Sequence, residues 1–420
     1  MKKVLLVLTL LLTFFLFNET VTPQVWTQKL AGISMWALGK DVQGNLYAGA
    51  SGTVKSVYKS TDGGLNWTEI YSNGLANFLS IACDSSGRVF IANGSAGVLM
   101  STNSGQNFTL IPSSTFGNNS VQSVWCGKNG YVYVGTVLGG IYISTDYGVT
   151  FPTTNLVGSN IVYITTDRYN SQIVYAGASA ASGTNGIFRS TDAGMTFGPV
   201  MNSGTSCWGI VQTSPNVLLS FTTTSPYPVL KSTDGGLNWT NVFSLTGAMR
   251  GATLDIAGNI YCSGNGGVFR STNGGQTFNN FNFALSSNQS ITYLNRILVA
   301  TSGTSNGGVW ITIDSSISST HSISTITPSE YKLEQNYPNP FNSQTRIQFA
   351  LKDNSYIELS IFDLSGRLIS EVYKGPLEAG TYESSFNATN LSSGIYFYIL
   401  KIKNQNNNIM LLSKKMALVK

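Results

Sequence analysis

The chain has 420 residues, of which 42% are hydrophobic and only 10% are charged, and its formal net charge is +5. This length allows two domains, and the absence of a basic cluster argues against nucleic acid as a partner. The single histidine, His321, lies outside the repeats described below, which excludes a Ser-His-Asp triad.

The first 22 residues have the features of a secretory signal peptide. Two lysines follow Met1, and an apolar run extends from Val4 to Phe17. This run is shorter than the roughly 20 apolar residues that a membrane-spanning helix needs. We therefore expect residues 1–22 to direct export from the cytoplasm.

A short motif of the form Ser-Thr-(Asp/Asn)-x-Gly-x-x-(Trp/Phe) occurs six times between residues 60 and 278, and we name it the box. Successive boxes start 39 to 46 residues apart. A period near 40 residues indicates stacked or radially arranged units rather than one irregular core. The third residues of the six boxes are Asp62, Asn103, Asp146, Asp192, Asp234 and Asn273.

Each repeat is predicted to contain four short strands. In one of them the apolar or alternating runs are Phe78 to Cys83, Arg88 to Ala92, Val98 to Ser101 and Phe108 to Ile111. Turn residues separate these runs, as in successive hairpins. Four strands in about 40 residues are typical of one blade of a β-propeller.

The residue types of the box suit the turn between the third and fourth strands. Asp or Asn accepts hydrogen bonds from turn N–H groups, and Gly adopts a positive φ without a steric cost. Because two of the six boxes carry Asn, the motif does not depend on a charge. We therefore expect the box residues to be structural, with no metal or cofactor bound to them.

The box resembles the Asp-box, or BNR repeat, of sialidase-like propellers. The resemblance covers about residues 25–315 and implies a fold rather than one activity, since such boxes occur in enzymes, sorting receptors and assembly factors alike. A seventh repeat, which ends near Asp314, lacks a fourth strand. We expect residues 25–30, which resemble residues 66–70, to supply that strand and to close a seven-bladed ring.

The chain changes character after a predicted linker at residues 316–332, which follows the predicted propeller at residues 23–315. Residues 333–420 contain alternating runs typical of an antiparallel β unit. The predicted strands are Thr345 to Leu351, Tyr356 to Leu364, Gly380 to Phe386 and Gly394 to Lys403. This block is predicted to be a second domain.

Several segments of this block closely resemble the type A C-terminal sorting domain of the type IX secretion system. They are residues 335–342 (Gln-Asn-Tyr-Pro-Asn-Pro-Phe-Asn), 363–367, 391–397 and 414–416. The resemblance implies a small Ig-like β-sandwich that the outer-membrane secretion machinery recognises through residues 333–420. We therefore expect a monomer that is secreted or attached to the outer surface of a Gram-negative bacterium.

The sequence gives little support for catalysis. A glycosidase needs two carboxylates that converge on one sugar, whereas the acidic residues of the propeller fall at repeated turn positions around one rim. The four cysteines show no metal-ligand spacing. Cys83 and Cys126 occupy equivalent positions in neighbouring repeats, as buried thiols or as a disulfide, and Cys207 and Cys262 lie farther along.

Two functions remain open at this point. One is a binding module for a glycan or a protein, and the alternative is a glycoside hydrolase with atypical carboxylates; a structural surface protein without a small ligand is a third option. We expect any ligand to bind the face opposite the boxes, where loop lengths vary most. The candidate ligand residues on this face are Tyr71, Asn77, Phe116, Asn118, Tyr227 and Arg250.

Overall fold

The computed structural model describes most of the chain after residue 24. The described residues are 25–420 except 73–75, 180–184, 200, 202–203, 256–257, 284–286, 295–296, 304–306, 314–320, 325–326, 378, 389–390 and 405–407. The predicted signal peptide lies outside them. They form an all-β structure with a single 3-10 turn at Ser113–Phe116. None of their helices is long and apolar enough to cross a membrane.

Within the described part of residues 27–313, the strands form seven antiparallel sheets. The first three sheets contain β2 (Met35–Lys40), β3 (Leu46–Ala50), β4 (Ser56–Ser60) and β5 (Thr68–Ser72); β6 (Ser80–Cys83), β7 (Val89–Asn93), β8 (Gly97–Ser101) and β9 (Thr109–Pro112); and β10 (Val121–Cys126), β11 (Val132–Thr136), β12 (Gly140–Ser144) and β13 (Thr153–Asn155). The next two contain β14 (Asn160–Thr166), β15 (Val174–Ser179) and β16 (Gly186–Ser190); and β17 (Cys207–Ser214), β18 (Val217–Thr222), β19 (Pro228–Ser232) and β20 (Thr240–Ser244). The last two contain β21 (Met249–Leu254), β22 (Ile260–Gly264), β23 (Gly267–Ser271) and β24 (Asn279–Asn280); and β25 (Asn288–Leu294), β26 (Ile297–Ser302), β27 (Gly308–Ile313) and β1 (Thr27–Lys29).

The repeat predicted from residues 78–111 is confirmed as β6 to β9, whose ends differ from the prediction by at most two residues. Strands that are consecutive in the chain pair within each sheet. The fourth sheet has three strands, and an isolated bridge between Ile187 and Met201 stands where its fourth strand would pair. The turn residues between the predicted strands therefore gave the correct order of β6 to β9 within their sheet.

The seven sheets pack face to face in sequence. The first strand of each sheet contacts the first strand of the next, and β25 of the last sheet contacts β2 of the first. Seven hydrophobic clusters lie between consecutive sheets, including one between the last sheet and the first. Since both faces of a sheet are covered, inner strands such as β3 and β7 are buried at every residue.

The N-terminal end of the described chain completes the last sheet. β1 pairs with β27, with Thr27 opposite Ile311. The indole of Trp26 lies 4.4 Å from the Phe283 ring between centroids, and its Nε1 donates a 3.1 Å hydrogen bond to the Phe281 carbonyl. The strand predicted for residues 25–30 is therefore observed, and it joins residues far apart in the sequence.

We expect Trp26→Ala to lower the free energy of unfolding of the propeller region by about 2 kcal/mol, because a half-buried aromatic ring and the anchor of β1 are both lost. Urea denaturation followed by tryptophan fluorescence measures this change. The control is Val25→Ala, since Val25 is 74% exposed. Equal unfolding midpoints for the two variants would contradict the role assigned to this strand.

Residues 321–418 form a second unit of two antiparallel sheets that share one core. Their strands are β28 (His321–Ser324), β29 (Lys332–Leu333), β30 (Gln344–Leu351), β31 (Ser355–Asp363), β32 (Leu368–Leu377), β33 (Gly380–Asn387), β34 (Gly394–Asn404) and β35 (Ile409–Leu418). The sheet orders are β28-β33-β30-β29 and β32-β31-β34-β35. The four predicted strands are confirmed as β30, β31, β33 and β34, whereas β32 and β35 had not been predicted.

The predicted linker at residues 316–332 needs correction. Residues His321–Ser324 form β28, in which His321 lies opposite Glu383 and Ser324 opposite Thr381. A segment rich in Ser, Thr and Ile suits an edge strand as well as a linker, and only pairing with a strand some 60 residues away decides between them. The second unit therefore begins no later than residue 321.

Candidate functional site

The six box turns share one hydrogen-bond pattern. In the box at residues 232–239, the Ser232 hydroxyl donates to Asp234 Oδ1 at 2.8 Å, Gly236 N donates to the Ser232 hydroxyl at 2.8 Å, and Asn238 N donates to Asp234 Oδ1 at 2.9 Å. The boxes with Asn103 and Asn273 make the same three contacts. A neutral amide oxygen therefore replaces a carboxylate oxygen in this turn.

The box turns also bind neighbouring sheets to each other. The Tyr175 hydroxyl on the fourth sheet donates to the Gly235 carbonyl, in the box of the fifth sheet, at 2.8 Å. Tyr133 donates to the Ala193 carbonyl in the same way, at 3.1 Å. Tyr47 donates both to the Ser104 carbonyl, in the next box, and to Asp41 Oδ2. The turns between first and second strands thus share one end of the sheets with the boxes, and we name it the box end.

Hydrogen bonds hold the box carboxylates in their ionised form. Backbone and side-chain donors of Asn66 and Asn238 lower the pKa values of Asp62 and Asp234 to about 2, and the hydroxyls of Ser144 and Thr150 contribute most to lowering the pKa of Asp146 to about 2. Each of these carboxylates already accepts donors from its own turn. They are therefore structural acceptors rather than groups poised for proton transfer.

These pKa values predict how stability changes with pH. A carboxyl whose pKa falls from 3.8 to about 2 on folding favours the folded state above pH 4, and this contribution is lost as the pH falls towards 2. We expect a lower urea midpoint at about pH 2.5 than at about pH 5. A variant with Asp146→Asn and Asp234→Asn should lose part of this difference. An unchanged pH difference would contradict the assignment.

A second group of side chains gathers at the opposite end of the sheets. A β-bulge lies at the second or third residue of six of the seven first strands, and such a bulge re-aims a side chain out of the regular ladder. The bulged residues are Trp36, Gln122, Val162, Trp208, Arg250 and Gln289. Trp36, Trp208 and Gln289 contact the guanidinium of Arg250. These four residues come from four different sheets, and we name them the mouth cluster.

Arg250 is the centre of the mouth cluster. Its guanidinium carbon lies 4.9 Å from the centroid of the Trp208 ring and 5.9 Å from that of Trp36. Its Nη1 donates to Gln289 Oε1 at 2.8 Å, and Gln289 Nε2 donates to the Ser287 hydroxyl at 2.8 Å. Burial lowers the pKa of Arg250, yet an arginine remains protonated. The site is thus a fixed cation between two indole rings.

Two polar atoms of this cluster are buried without a partner, namely Arg250 Nε and Trp208 Nε1. In the part of the chain that the structure describes, Arg250 forms no ion pair, and its Nη2 has no hydrogen-bond partner. An unpaired buried donor is costly and is most often explained by function or by bound solvent. This cluster is therefore the strongest candidate for a binding site.

A pocket of about 420 Å³ lies beside the mouth cluster. Residues of the first three sheets line it, and Trp36 belongs to both the pocket and the cluster. Its polar lining includes Lys55, Asn77, Ser95 and Gln122. This volume lies in the range of small-molecule sites, about 300–1,000 Å³.

The structure separates the six residues predicted for the ligand face. Arg250 belongs to the mouth cluster, Asn77 lines the pocket, and Asn118 is exposed in the loop after the 3-10 turn. Tyr71 and Tyr227 are half-buried among core side chains between neighbouring sheets. Arg250 and Asn77 therefore lie at the candidate site. A ligand contact of Asn118, Tyr71 or Tyr227 remains a prediction.

Phe116 does not lie on the ligand face, which corrects the sequence prediction. It is 0% exposed and packs edge-on against the rings of Tyr142 and Phe151. The prediction rested on its position in a loop of the variable rim and on an aromatic ring suited to contacts with a sugar or a peptide. Burial of the apolar ring outweighs this loop position, so Phe116 is a core residue.

Trp36, Gln122, Trp208 and Gln289 were not predicted from the sequence, because they lie on strands and not in the loops of variable length. A signal for them was present. When the repeats are aligned on their first strands, these residues share the position occupied by Arg250. A strand position that carries Trp, Gln or Arg in otherwise apolar first strands indicates a common solvent-facing or ligand-facing site.

Comparison with known proteins supports the C-terminal assignment. Residues 335–416 match the family described as secretion system C-terminal sorting domain. This domain implies export through the type IX system and interaction with its machinery. The protein is secreted or attached to the outer surface of a Gram-negative cell, as the sequence predicted. No curated protein matched the chain.

Solved structures resemble the chain in fold. The extracellular domain of a hybrid two-component system, BT3049 from B. thetaiotaomicron, is 14% identical with a TM-score of 0.56; the match covers 94% of this chain and 57% of that one. PorZ, a surface component of the type IX system of Porphyromonas gingivalis, is 14% identical with a TM-score of 0.51, covering 91% and 59%. YCF48 bound to D1 peptide is 16% identical with a TM-score of 0.52, covering 70% and 97%. This chain thus spans less than two thirds of the first relative, and the likeness shows a propeller-like fold alone.

Proposed function

We propose that the protein is an exported binding propeller whose mouth cluster and adjoining pocket bind a glycan or a protein ligand. The observation that carries the proposal is Arg250, a half-buried cation without a carboxylate partner among the described residues, whose guanidinium contacts the rings of Trp36 and Trp208. A concave site with aromatic walls and a few fixed polar groups is the usual form of a ligand site. It lies on the face opposite the boxes.

The proposal includes a specific architecture. We infer seven blades of the Asp-box type, because the contacts between first strands return from β25 to β2 and a hydrophobic cluster lies at each of the seven junctions. We also infer that the second unit is Ig-like, since two antiparallel sheets enclose one core. The box residues act as structural ties between blades.

Similar structures are compatible with a binding role. The YCF48 structure contains a bound peptide, and BT3049 contributes the extracellular domain of a two-component system. The likeness to both is one of fold, and neither structure identifies the ligand of this chain. The ligand class has to be inferred from the residues of the mouth.

The alternative, a glycoside hydrolase with atypical carboxylates, has weaker support. Such an enzyme needs two carboxyl groups on either side of one glycosidic bond. The described carboxylates of residues 25–313 lie in the boxes and in the turns at the same end, except Glu69, which lies two residues after a box, on β5. The mouth is at the other end, so the geometry favours binding over hydrolysis.

A screen of the full chain against glycan and protein arrays tests the proposal. For a ligand found in this way, we expect the double variant Trp36→Ala, Trp208→Ala to lose about tenfold or more in affinity by calorimetry, as is typical of central aromatic contacts. The matched control is Trp67→Phe, Trp239→Phe, because other boxes carry Phe at this position. Unchanged affinity in the first variant would place the site elsewhere.

A further inference from the structure

The two ends of the sheets differ in charge. The carboxylates of the boxes and of the first turns, such as Asp41, Asp84 and Asp255, lie at the box end. Within the described part of residues 25–313, the mouth end has Arg250, Lys55 and, at the end of the outer strand β1, Lys29, and it has no carboxylate. A concave site lined by one sign of charge focuses its field and attracts the opposite charge. The mouth therefore favours an anionic ligand.

The geometry of Arg250 suits a carboxylate. Gln289 engages Nη1, and the two indole rings limit the rotation of the guanidinium plane, while Nη2 has no hydrogen-bond partner in the described part of the chain. A guanidinium fixed before binding loses little side-chain entropy when it donates to an anion. A charge-assisted hydrogen bond of this kind is about twice as strong as a neutral one.

The surroundings of Arg250 suit a sugar rather than an extended peptide. The indole of Trp36 forms one wall of both the cluster and the pocket, and the side-chain amides of Asn77 and Gln122 line the pocket. Aromatic rings pack against apolar C–H faces, and amides pair with hydroxyl groups. A pocket of about 420 Å³ lies within the volume range of small-ligand sites.

On the basis of the proposed function, we propose that the mouth binds an acidic glycan, with the carboxylate of a uronate residue on Arg250 and a neighbouring sugar ring in the pocket beside Trp36. Lys55, directly before β4 of the first sheet, also lines this pocket. A second uronate along the same chain would therefore approach a second cation. The ligand class is an oligouronate.

Calorimetry on the full chain tests the charge requirement directly. The probes are trigalacturonate, a glucuronate-containing and a mannuronate-containing trisaccharide, each compared with its methyl ester, which keeps the shape but removes the charge. We expect at least one acid to bind about tenfold more tightly than its ester. We also expect its affinity to fall when the salt concentration rises to about 0.5 M. Because these measurements use the unaltered protein, they do not depend on the folding of a variant.

Two variants locate the charge. Arg250→Gln should reduce the affinity for the acid about tenfold and leave the affinity for the ester nearly unchanged. The control, Arg88→Gln, removes an arginine at the box end, where Arg88 pairs with Asp84, and should bind the acid normally. Thermal unfolding confirms that both variants are folded. Equal losses in the two variants, or no loss in Arg250→Gln, would overturn the proposal.

The remaining outcomes separate this inference from the proposed function. If no uronate binds at about 10 mM, or if acid and ester bind equally, the acidic-glycan inference is wrong. If a neutral glycan binds and the double Trp36 and Trp208 variant abolishes this binding, the binding function stands without the charge requirement. If instead a peptide with a free C-terminal carboxylate binds while its amide and the uronates do not, the ligand is a peptide and the inference fails.

Discussion

Gly236→Ala is expected to be among the most destabilising single substitutions in the propeller region, at about 3 kcal/mol. Gly236 has φ +86°, and a Cβ atom at this position would lie 2.7 Å from Cε1 of Tyr175. Tyr175 is fully buried, and its hydroxyl is bonded to the Gly235 carbonyl, so the ring cannot move away. The substitution thus combines left-handed backbone strain with a steric clash between two neighbouring sheets.

Gly235→Ala is the matched control for this prediction. Gly235 also has a left-handed φ, +71°, but a Cβ atom there would meet only Asn216 Oδ1, at 3.3 Å. We expect a loss of about 1 kcal/mol from strain alone. Urea unfolding of both variants gives the comparison. If the two substitutions cost the same, the box does not depend on close contact with the preceding sheet, and its role as a tie between blades would be wrong.

Deleting residues 321–420 is expected to remove nearly all of the protein from the cell surface and the medium. The matched sorting domain covers residues 335–416, and β28 at residues His321–Ser324 pairs with β33 inside the same unit. The deletion therefore starts at residue 321, because a cut at residue 333 would leave an unpaired edge strand that promotes aggregation. Cell fractionation and immunoblotting measure where the truncated protein accumulates.

The truncated protein should remain folded and accumulate in the periplasm. Its thermal unfolding, measured on purified material, shows whether loss of export reflects misfolding. In the reciprocal experiment, residues 321–420 joined to an exported reporter should carry it to the surface. Surface levels of the truncated protein equal to those of the full chain would contradict the role of this unit as an address.

The repeat structure could be predicted because each box contains its own folding information. Within eight residues, Ser232 and Asp234 supply the acceptors and Gly236 supplies the left-handed conformation that the turn needs. Such local hydrogen bonds form independently of the distant chain. Copies of this turn at a regular spacing then determine where the strands begin and end. The sorting domain was predicted for a similar reason, since its signature segments are contiguous in the sequence.

Closure of the last sheet was also predicted, although its partners are distant. Residues 25–30 resemble residues 66–70, which include the fourth strand of the first repeat, so they were predicted to form a fourth strand as well. The last repeat has no fourth strand of its own and could accept it. The structure pairs β1 with β27. Repetition made this possible, because equivalent positions in different repeats have equivalent neighbours. The same reasoning fails where a segment has no counterpart, as for β28.

The sequence by itself thus determined the repeated turns, the strands and the exported nature of this protein, because these depend on contacts between residues close together in the chain. Only the tertiary structure decided that Phe116 is core and that Trp36, Trp208, Arg250 and Gln289 meet. These four side chains are separated by about 40 residues or more along the chain and approach one another only when the sheets have packed in sequence around a centre. The physical reason is that the site belongs to no single repeat and forms where the repeats converge.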